Sequence, residues 1–234
     1  MTETSGLGLW VELCEVSHQF GDRSVLQHIT LSLTERRIGI IGSNGSGKST
    51  FARLLNGLVV PTQGSVQVDG LETRHHLKTV RRRVGFIFQN PDHQIILPTV
   101  AEDLAFGLRQ FKLSSQEIAH RVNTTLDEYG LTAFREHPAH LLSGGQKQLL
   151  AIAAVLITQP RYLVLDEPTT LLDLRNRNRI CRLLWALPQP MVVVSHDLQL
   201  LREFDRIIVF DGGTVVMDAP PAIALPAYIE QMSC

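Results

Sequence analysis

Nine consecutive residues, Gly42 to Thr50 (GSNGSGKST), constrain this chain more than any other stretch. An apolar run with Ile38, Ile40 and Ile41 precedes them, and a helix-like run to about Asn56 follows, stopped by Gly57. Gly42, Gly47, Lys48 and Ser49 stand at the offsets of a phosphate cradle set between a strand and a helix. Glycines there let successive backbone N–H groups turn toward one anion, because no Cβ stands in the way. Ser43, Asn44, Gly45, Ser46 and Thr50 complete the loop. The helix aims its positive dipole end at the same anion. Lys48 adds a mobile cation for β and γ phosphates, and the Ser49 hydroxyl is placed to ligate Mg²⁺. A glycine-rich turn that happens to hold a lysine is the competing reading. Such a match arises by accident in roughly one chain of this length in a hundred.

Strand-like and helix-like segments alternate around the cradle. Leu9 to Val16 and Val25 to Leu33 read as an antiparallel hairpin turning at Gly21-Asp22, and Ser65 to Asp69 reads as another strand of that layer. Phe20, just before the turn, suits a core position or a stacking platform for a nucleotide base equally well. Val84 to Phe88, Tyr162 to Leu165 and Met191 to Val194 are continuous apolar strands, the pattern of a parallel sheet buried on both faces. Ile207 to Phe210 and Thr214 to Met217 form a last hairpin about Asp211-Gly212-Gly213.

Residues 90–158 read as a helical insertion. Ser114 and Glu117 make a capping-box pair ahead of Ile118, Val122, Leu126 and Tyr129, and an apolar helix follows Ser143-Gly144-Gly145. The expected organisation is a single domain over 1–234. Its core is drawn from 1–89 and 159–220, the insertion is 90–158, and a short tail occupies 221–234.

Charge argues against some partners. Lys and Arg number 22 against 23 Asp and Glu, a net charge of −1, so the chain has no basic field for nucleic acid or anionic membrane. Arg81, Arg82 and Arg83 form the only tight basic run and read as a solvated strand entrance rather than a phosphate patch. Cys14, Cys181 and Cys234 are scattered without metal-ligand spacing, which points to a reducing, cytosolic compartment. The opening MTETSGLGLW does not read as an export leader. The most apolar run, Leu149 to Ile157, is far short of the ~20 residues that cross a bilayer, so any membrane role is expected to come through partners.

A parallel sheet presents ligands at the carboxyl ends of its strands, and three such ends here are polar. Asp166 can reach the metal shell held by Ser49, while Glu167 can orient or deprotonate an attacking water. His196 follows the strand Met191 to Val194 and can hydrogen-bond a γ-phosphate. Gln89 ends its strand with a neutral amide able to touch both metal and water, or with no such task. Ser143, Gly144, Gly145 and Gln146 open a buried helix as the cradle does, giving a second anion site. If both anion sites closed on one nucleotide within one chain, the insertion would have to fold over the cradle. A two-fold dimer, each serine loop capping its partner's γ-phosphate, is the easier solution.

The order Gly42–Ser49, Gln89, Leu142–Gln146, Asp166–Glu167, Asp173 and His196 resembles the ATP-binding cassette (ABC) ATPases over nearly the whole chain. The resemblance makes these the Walker A loop, Q-loop, signature motif, Walker B Asp with catalytic Glu, D-loop Asp and switch His. It implies an α/β P-loop NTPase with a RecA-like parallel-sheet core, an N-terminal antiparallel β subdomain and an inserted α-helical subdomain. Catalysis then falls to Glu167, His196, Gln89 and Lys48. ATP is held by Phe20, residues 42–50, Ser143–Gln146 and Asp173, and Mg²⁺ by Ser49, Gln89 and Asp166.

A finer resemblance lies in Phe88-Gln89-Asn90-Pro91-Asp92-His93-Gln94 and Thr99 to Gly107. These look like the A component of energy-coupling factor (ECF) importers of vitamins and metal ions. That implies a second ATPase subunit, a transmembrane T component and a substrate-capturing S component, on the cytoplasmic face of the membrane. Asp92 and Glu102 would then pair with arginines of the T component. The shortness of the chain after Met217 resembles the ATPase of dedicated biotin transporters, which implies biotin as cargo. Leu149 stands where the family's longer signature has Arg. A soluble ATPase for iron–sulfur assembly and a clamp on nucleic acid are the rival readings.

Overall fold

The computed structural model describes residues 10–232, so Leu9, Cys234 and the opening segment lie outside the described residues. An antiparallel sheet is built from β1 (Val11–Phe20), β2 (Arg23–Leu33), β4 (Gln63–Val68) and β5 (Leu71–Glu72), in the order β2-β1-β4-β5. Gly21 and Asp22 are all that separates β1 from β2, so Phe20 and Arg23 are direct cross-strand partners.

The second sheet holds β3 (Arg37–Gly42), β6 (Val84–Ile87), β7 (Tyr162–Asp166), β8 (Met191–Val194), β9 (Arg206–Asp211) and β10 (Thr214–Ala219), ordered β10-β9-β3-β8-β7-β6. All its neighbours are parallel except the hairpin of β9 and β10. Both faces of this sheet are covered, which is why its strands read as unbroken apolar runs. Tyr162, Val164, Val192, Val194, Ile208 and Phe210 join the core shared with the antiparallel sheet and α1 (Lys48–Leu55). Their neighbours Leu163, Leu165, Met191, Val193, Ile207 and Val209 join the core on the other face. The period of two along each strand splits one run between two cores.

That second core extends without a break into the helical insertion, made of α3 (Val100–Leu108), α4 (Ser115–Glu128) and α5 (Gly144–Leu156). Each helix opens with a reciprocal capping box: Thr99 with Glu102, Ser114 with Glu117, and Ser143 with Gln146. Sequence spacing anticipates the second of these and places the third helix correctly. Leu149, the departure from the family's Arg, is 2% exposed and belongs to this core. Gln94 fastens the insertion to the sheet. Its Nε2 donates to the Ala151 carbonyl in mid-α5 at 2.7 Å, while its Oε1 accepts from the Phe88 N–H at 3.3 Å.

One local expectation is corrected. Arg81, Arg82 and Arg83 form the last turn of a helix, α2 (Leu77–Arg83), rather than a strand entrance. Arg83 reaches Asp69, which also accepts from Arg161 and from the Tyr162 hydroxyl. Burial, and then Asp69, push that hydroxyl's pKa up to about 12. The segment read as a short tail forms a helix, α8 (Pro221–Met232), which buries Ala224, Leu225 and Tyr228. The two remaining helices, α6 (Leu174–Ala186) and α7 (Leu198–Leu201), follow β7 and β8.

Candidate functional site

The carboxyl ends of β3, β7 and β8 lie side by side because Ile40 and Asp166 both pair with Val194. The end of β6 lies beside β7 through Ile87 and Leu165. An open cleft of about 640 Å³ sits over these ends, a volume of the size that takes a drug-sized ligand. Its lining includes Phe20, Asn44, Gly45, Gly47, Lys48, Ser49, Thr50, Gln89, Glu167 and His196. The structure therefore gathers residues separated by up to 176 positions in sequence, as expected from the strand ends.

The cradle's shape depends on two glycines. Gly42, at φ 151°, passes so close to β9 that a Cβ would lie 2.1 Å from the Phe210 carbonyl oxygen. Gly47, at φ 100°, caps α1, and a Cβ there would meet the Val25 carbonyl at 2.8 Å. Both contacts are to backbone, so no rotamer change relieves them. The Ser46 hydroxyl, in a residue only 2% exposed, has no partner among the described residues.

Lys48 is buried, and its Nζ donates to the Gly42 and Ser43 carbonyls at 2.9 and 2.8 Å, leaving one of its three N–H donors. Burial lowers its pKa, against the pull of Glu167 and Asp166. Ser49 Oγ donates to Asp166 Oδ1 at 2.9 Å. Burial raises the Asp166 carboxyl above its ordinary value, and the Ser49 hydroxyl opposes that shift.

Glu167 sits one residue farther along, with its backbone N–H held by Val194 at 2.9 Å and φ at 54°. A left-handed conformation is costly for a residue with a Cβ and persists where the surroundings enforce it. The side chain is fixed as firmly as the backbone. Oε2 accepts from Thr170 Oγ1 at 2.5 Å, and Oε1 lies 3.1 Å from His196 Nε2.

The His196 turn is itself anchored. Arg177 of α6 donates from Nε and Nη2 to the two Asp197 oxygens at 2.5 and 2.6 Å. Burial alone would raise the Asp197 carboxyl, but the Arg177 bonds, together with the Leu200 and Gln199 N–H groups, hold it below its ordinary value of 3.8. The stabilisation is therefore complete above about pH 4 and is lost as pH falls through the lowered value. Arg177→Ala is expected to cost about 2 kcal/mol at neutral pH and to flatten this acid-side loss. Urea midpoints of both chains between pH 3 and 7 measure it, and equal slopes would exclude the pair as the cause.

Other residues singled out from the sequence lie outside the cleft. Ser143 and Gly144 are exposed, and Ser143 Oγ accepts from the Gln146 N–H at 3.4 Å. A Cβ on Gly145 would lie 2.3 Å from Asn176 of α6. Asn176 is in turn bound to Asp173, which accepts from its N–H at 2.7 Å and its Nδ2 at 3.1 Å. Neither the serine loop nor Asp173 lines the cleft.

Asp92 and Glu102, expected to pair with arginines of the T component, also have partners within the chain. Asp92 pairs with Lys147 Nζ at 2.7 Å, and Glu102 closes the cap of α3. Phe20 is 53% exposed, which settles it outside the core. Arg23, Val25 and Thr170 also line the cleft and were missed. The two-residue turn was the available signal for Arg23, since it makes that residue the partner of Phe20.

A mostly parallel sheet with this cradle at its centre defines a P-loop nucleoside triphosphatase. Residues 26–170 match the ABC transporter family, and the chain belongs to it, as an ATP-binding subunit that is an ATPase coupled to transport. A Deinococcus radiodurans protein provisionally designated an ABC transporter ATP-binding protein is 59% identical over 95% of this chain and 99% of its own. The biotin transport ATP-binding protein BioM of Rhizobium etli is 49% identical over 90% and 94%. The energy-coupling factor transporter ATP-binding protein EcfA of Syntrophomonas wolfei is 41% identical over 88% and 78%. Among solved structures, a dimeric bacterial ABC transporter cassette superposes with a TM-score of 0.82 at 30% identity, covering 90% of this chain and 98% of that one.

Proposed function

We propose that this chain energises an ECF-type importer whose cargo is biotin, working as a dimer on the cytoplasmic face of the membrane through a T and an S component. The observation that carries the chemistry is the pair of contacts at adjacent strand-end residues, Ser49 to Asp166 and His196 to Glu167. The names borne by the BioM and EcfA relatives support the cargo and the importer class.

Ser49 and Asp166 present hard oxygen donors side by side, and one or two protein oxygens beside substrate phosphates suit Mg²⁺. The Gln89 amide completes that set. When bound, the cation supplies charge neutralisation at the transferring phosphoryl group. Lys48 directs its remaining donor at the β and γ phosphates, and the cradle amides hold their oxygens. Phe20 stacks the base. Glu167 takes the proton of the attacking water, while His196 and Thr170 hold its two oxygens in position.

A dimer is supported by what surrounds the exposed serine loop. Leu141, Leu171 and Leu174 are 64%, 66% and 70% exposed, and they flank the loop and Asp173 in the chain. A second copy would bury these leucines and bring Ser143 to the facing cradle. No helix among the described residues is long and apolar enough to cross a membrane, which fits attachment through partners.

Affinity purification from detergent-solubilised membranes of the native cell, with mass spectrometry of co-eluting proteins, tests the importer reading. Two polytopic membrane proteins are expected, one of which binds biotin. Recovery of soluble partners or nucleic acid in their place would sink it.

A further inference from the structure

The base end of the cleft carries a cation that the phosphate chemistry does not use. Arg23 lines the same cleft as Phe20 and Lys48, and it pairs with Phe20 across the turn. Directly opposed residues of an antiparallel pair project from one face with Cβ atoms about 5 Å apart. The Arg23 side chain therefore leaves the hairpin on the same face as the phenyl ring and lines the same cleft. That ring packs edge-on against His18, with centroids 4.6 Å apart and planes at 82°. His18 is 7% exposed, so one side of the platform is fixed by the core while the other faces the cleft. Among the described residues the Arg23 side chain makes no hydrogen bond or ion pair with the protein, so its donors are available to a ligand.

What the fork would meet depends on the base. A guanidinium donates two parallel bonds in one plane. Guanine offers a matching pair of acceptors, O6 and N7, on one edge. Adenine offers N7 beside an amino group, which is a donor and repels the second N–H. Lys48 and the cradle sit at the opposite, phosphate end. We propose that Arg23 reads the purine edge, so that the cleft takes guanosine triphosphate at least as well as adenosine triphosphate. The inference rests on the nucleotide reading of the cleft and adds to it a specificity-determining residue.

Calorimetric titration of the full chain with the magnesium complexes of ATP, GTP and tripolyphosphate tests it. The wild type is expected to bind GTP as tightly as ATP or more so. Arg23→Ala should weaken GTP by about ten- to a hundredfold, the worth of one bidentate base contact. ATP should weaken by less than about fivefold, the loss of a single bond, and tripolyphosphate should not change. Arg23→Lys keeps the charge but not the fork and should follow Arg23→Ala. Arg23 is exposed at the start of β2, beside the turn, so both variants are expected to fold. Equal weakening of all three ligands would make Arg23 a phosphate contact and overturn the proposal, as would unchanged GTP affinity. A wild-type chain that binds tripolyphosphate and neither nucleotide would remove the base site, and one that binds none of the three would remove the nucleotide reading as well.

Discussion

Glu167→Gln is expected to lower ATP turnover by about 10²–10⁴-fold while ATP binding survives, the usual worth of a positioned general base. The substitution is a clean probe because the amide has the same size and fills the same place. Its carbonyl can still accept from Thr170, now 2.5 Å from Oε2, and the backbone hold from Val194 does not change. Only the capacity to take a proton is lost. Glu167 contributes no part of the cradle, so affinity for nucleotide has no reason to fall. Single-turnover hydrolysis and equilibrium nucleotide binding on one preparation of the assembled transporter separate the two effects. Retained turnover would remove Glu167 from the role of base.

Ser143→Arg is expected to abolish turnover, by at least about a hundredfold, without changing the affinity of a single chain for ATP. The reason is placement. Ser143 is exposed and outside the cleft that holds Lys48, so in one chain the substitution touches nothing that binds nucleotide. Across a two-fold axis it would put a bulky side chain where the γ-phosphate is capped. Mixing gives the decisive form of the test. Ser143→Arg and Lys48→Ala chains are each inactive alone, but a mixed dimer holds one site with an intact cradle and an intact serine loop. Random pairing makes half the dimers mixed, with one good site each, so about a quarter of wild-type turnover should return. No recovery on mixing, with dimers verified by size, would place both loops on one chain's own nucleotide.

Legibility followed the range of the forces involved. The cradle, the strand-end placement of Asp166, Glu167 and His196, the cap of α4 and the start of α5 were readable because each is a local pattern. The two-sided burial of β7 and β8 was readable for the same reason. Residues whose role depends on a distant partner were not. Asp92 looks like a free carboxylate until Lys147, 55 positions away, is brought to it. Thr170 looks like a turn residue until Glu167 adopts a left-handed backbone. Arg81–Arg83 could not be assigned to a helix end, since α2 is only seven residues long and carries a single buried side chain, Val80. The helix in the tail was not legible because α8 has apolar residues on most sides and an internal proline, Pro226. Its helix is set by packing on the sheet rather than by pattern.

The grip of Gln94 on α5 has a mechanical consequence. The Ala151 carbonyl it holds lies seven residues from Gly144, the start of the helix, which makes an arm of about 10 Å at the helical rise. The same side chain is fastened to Phe88, next to Gln89, at its other end. A tilt of about 10° about that fulcrum swings Ser143 through about 2 Å, the difference between a hydrogen bond and none. The segment between Gln89 and Gln94 therefore works as a crank, turning small displacements at the strand end into larger ones at Ser143.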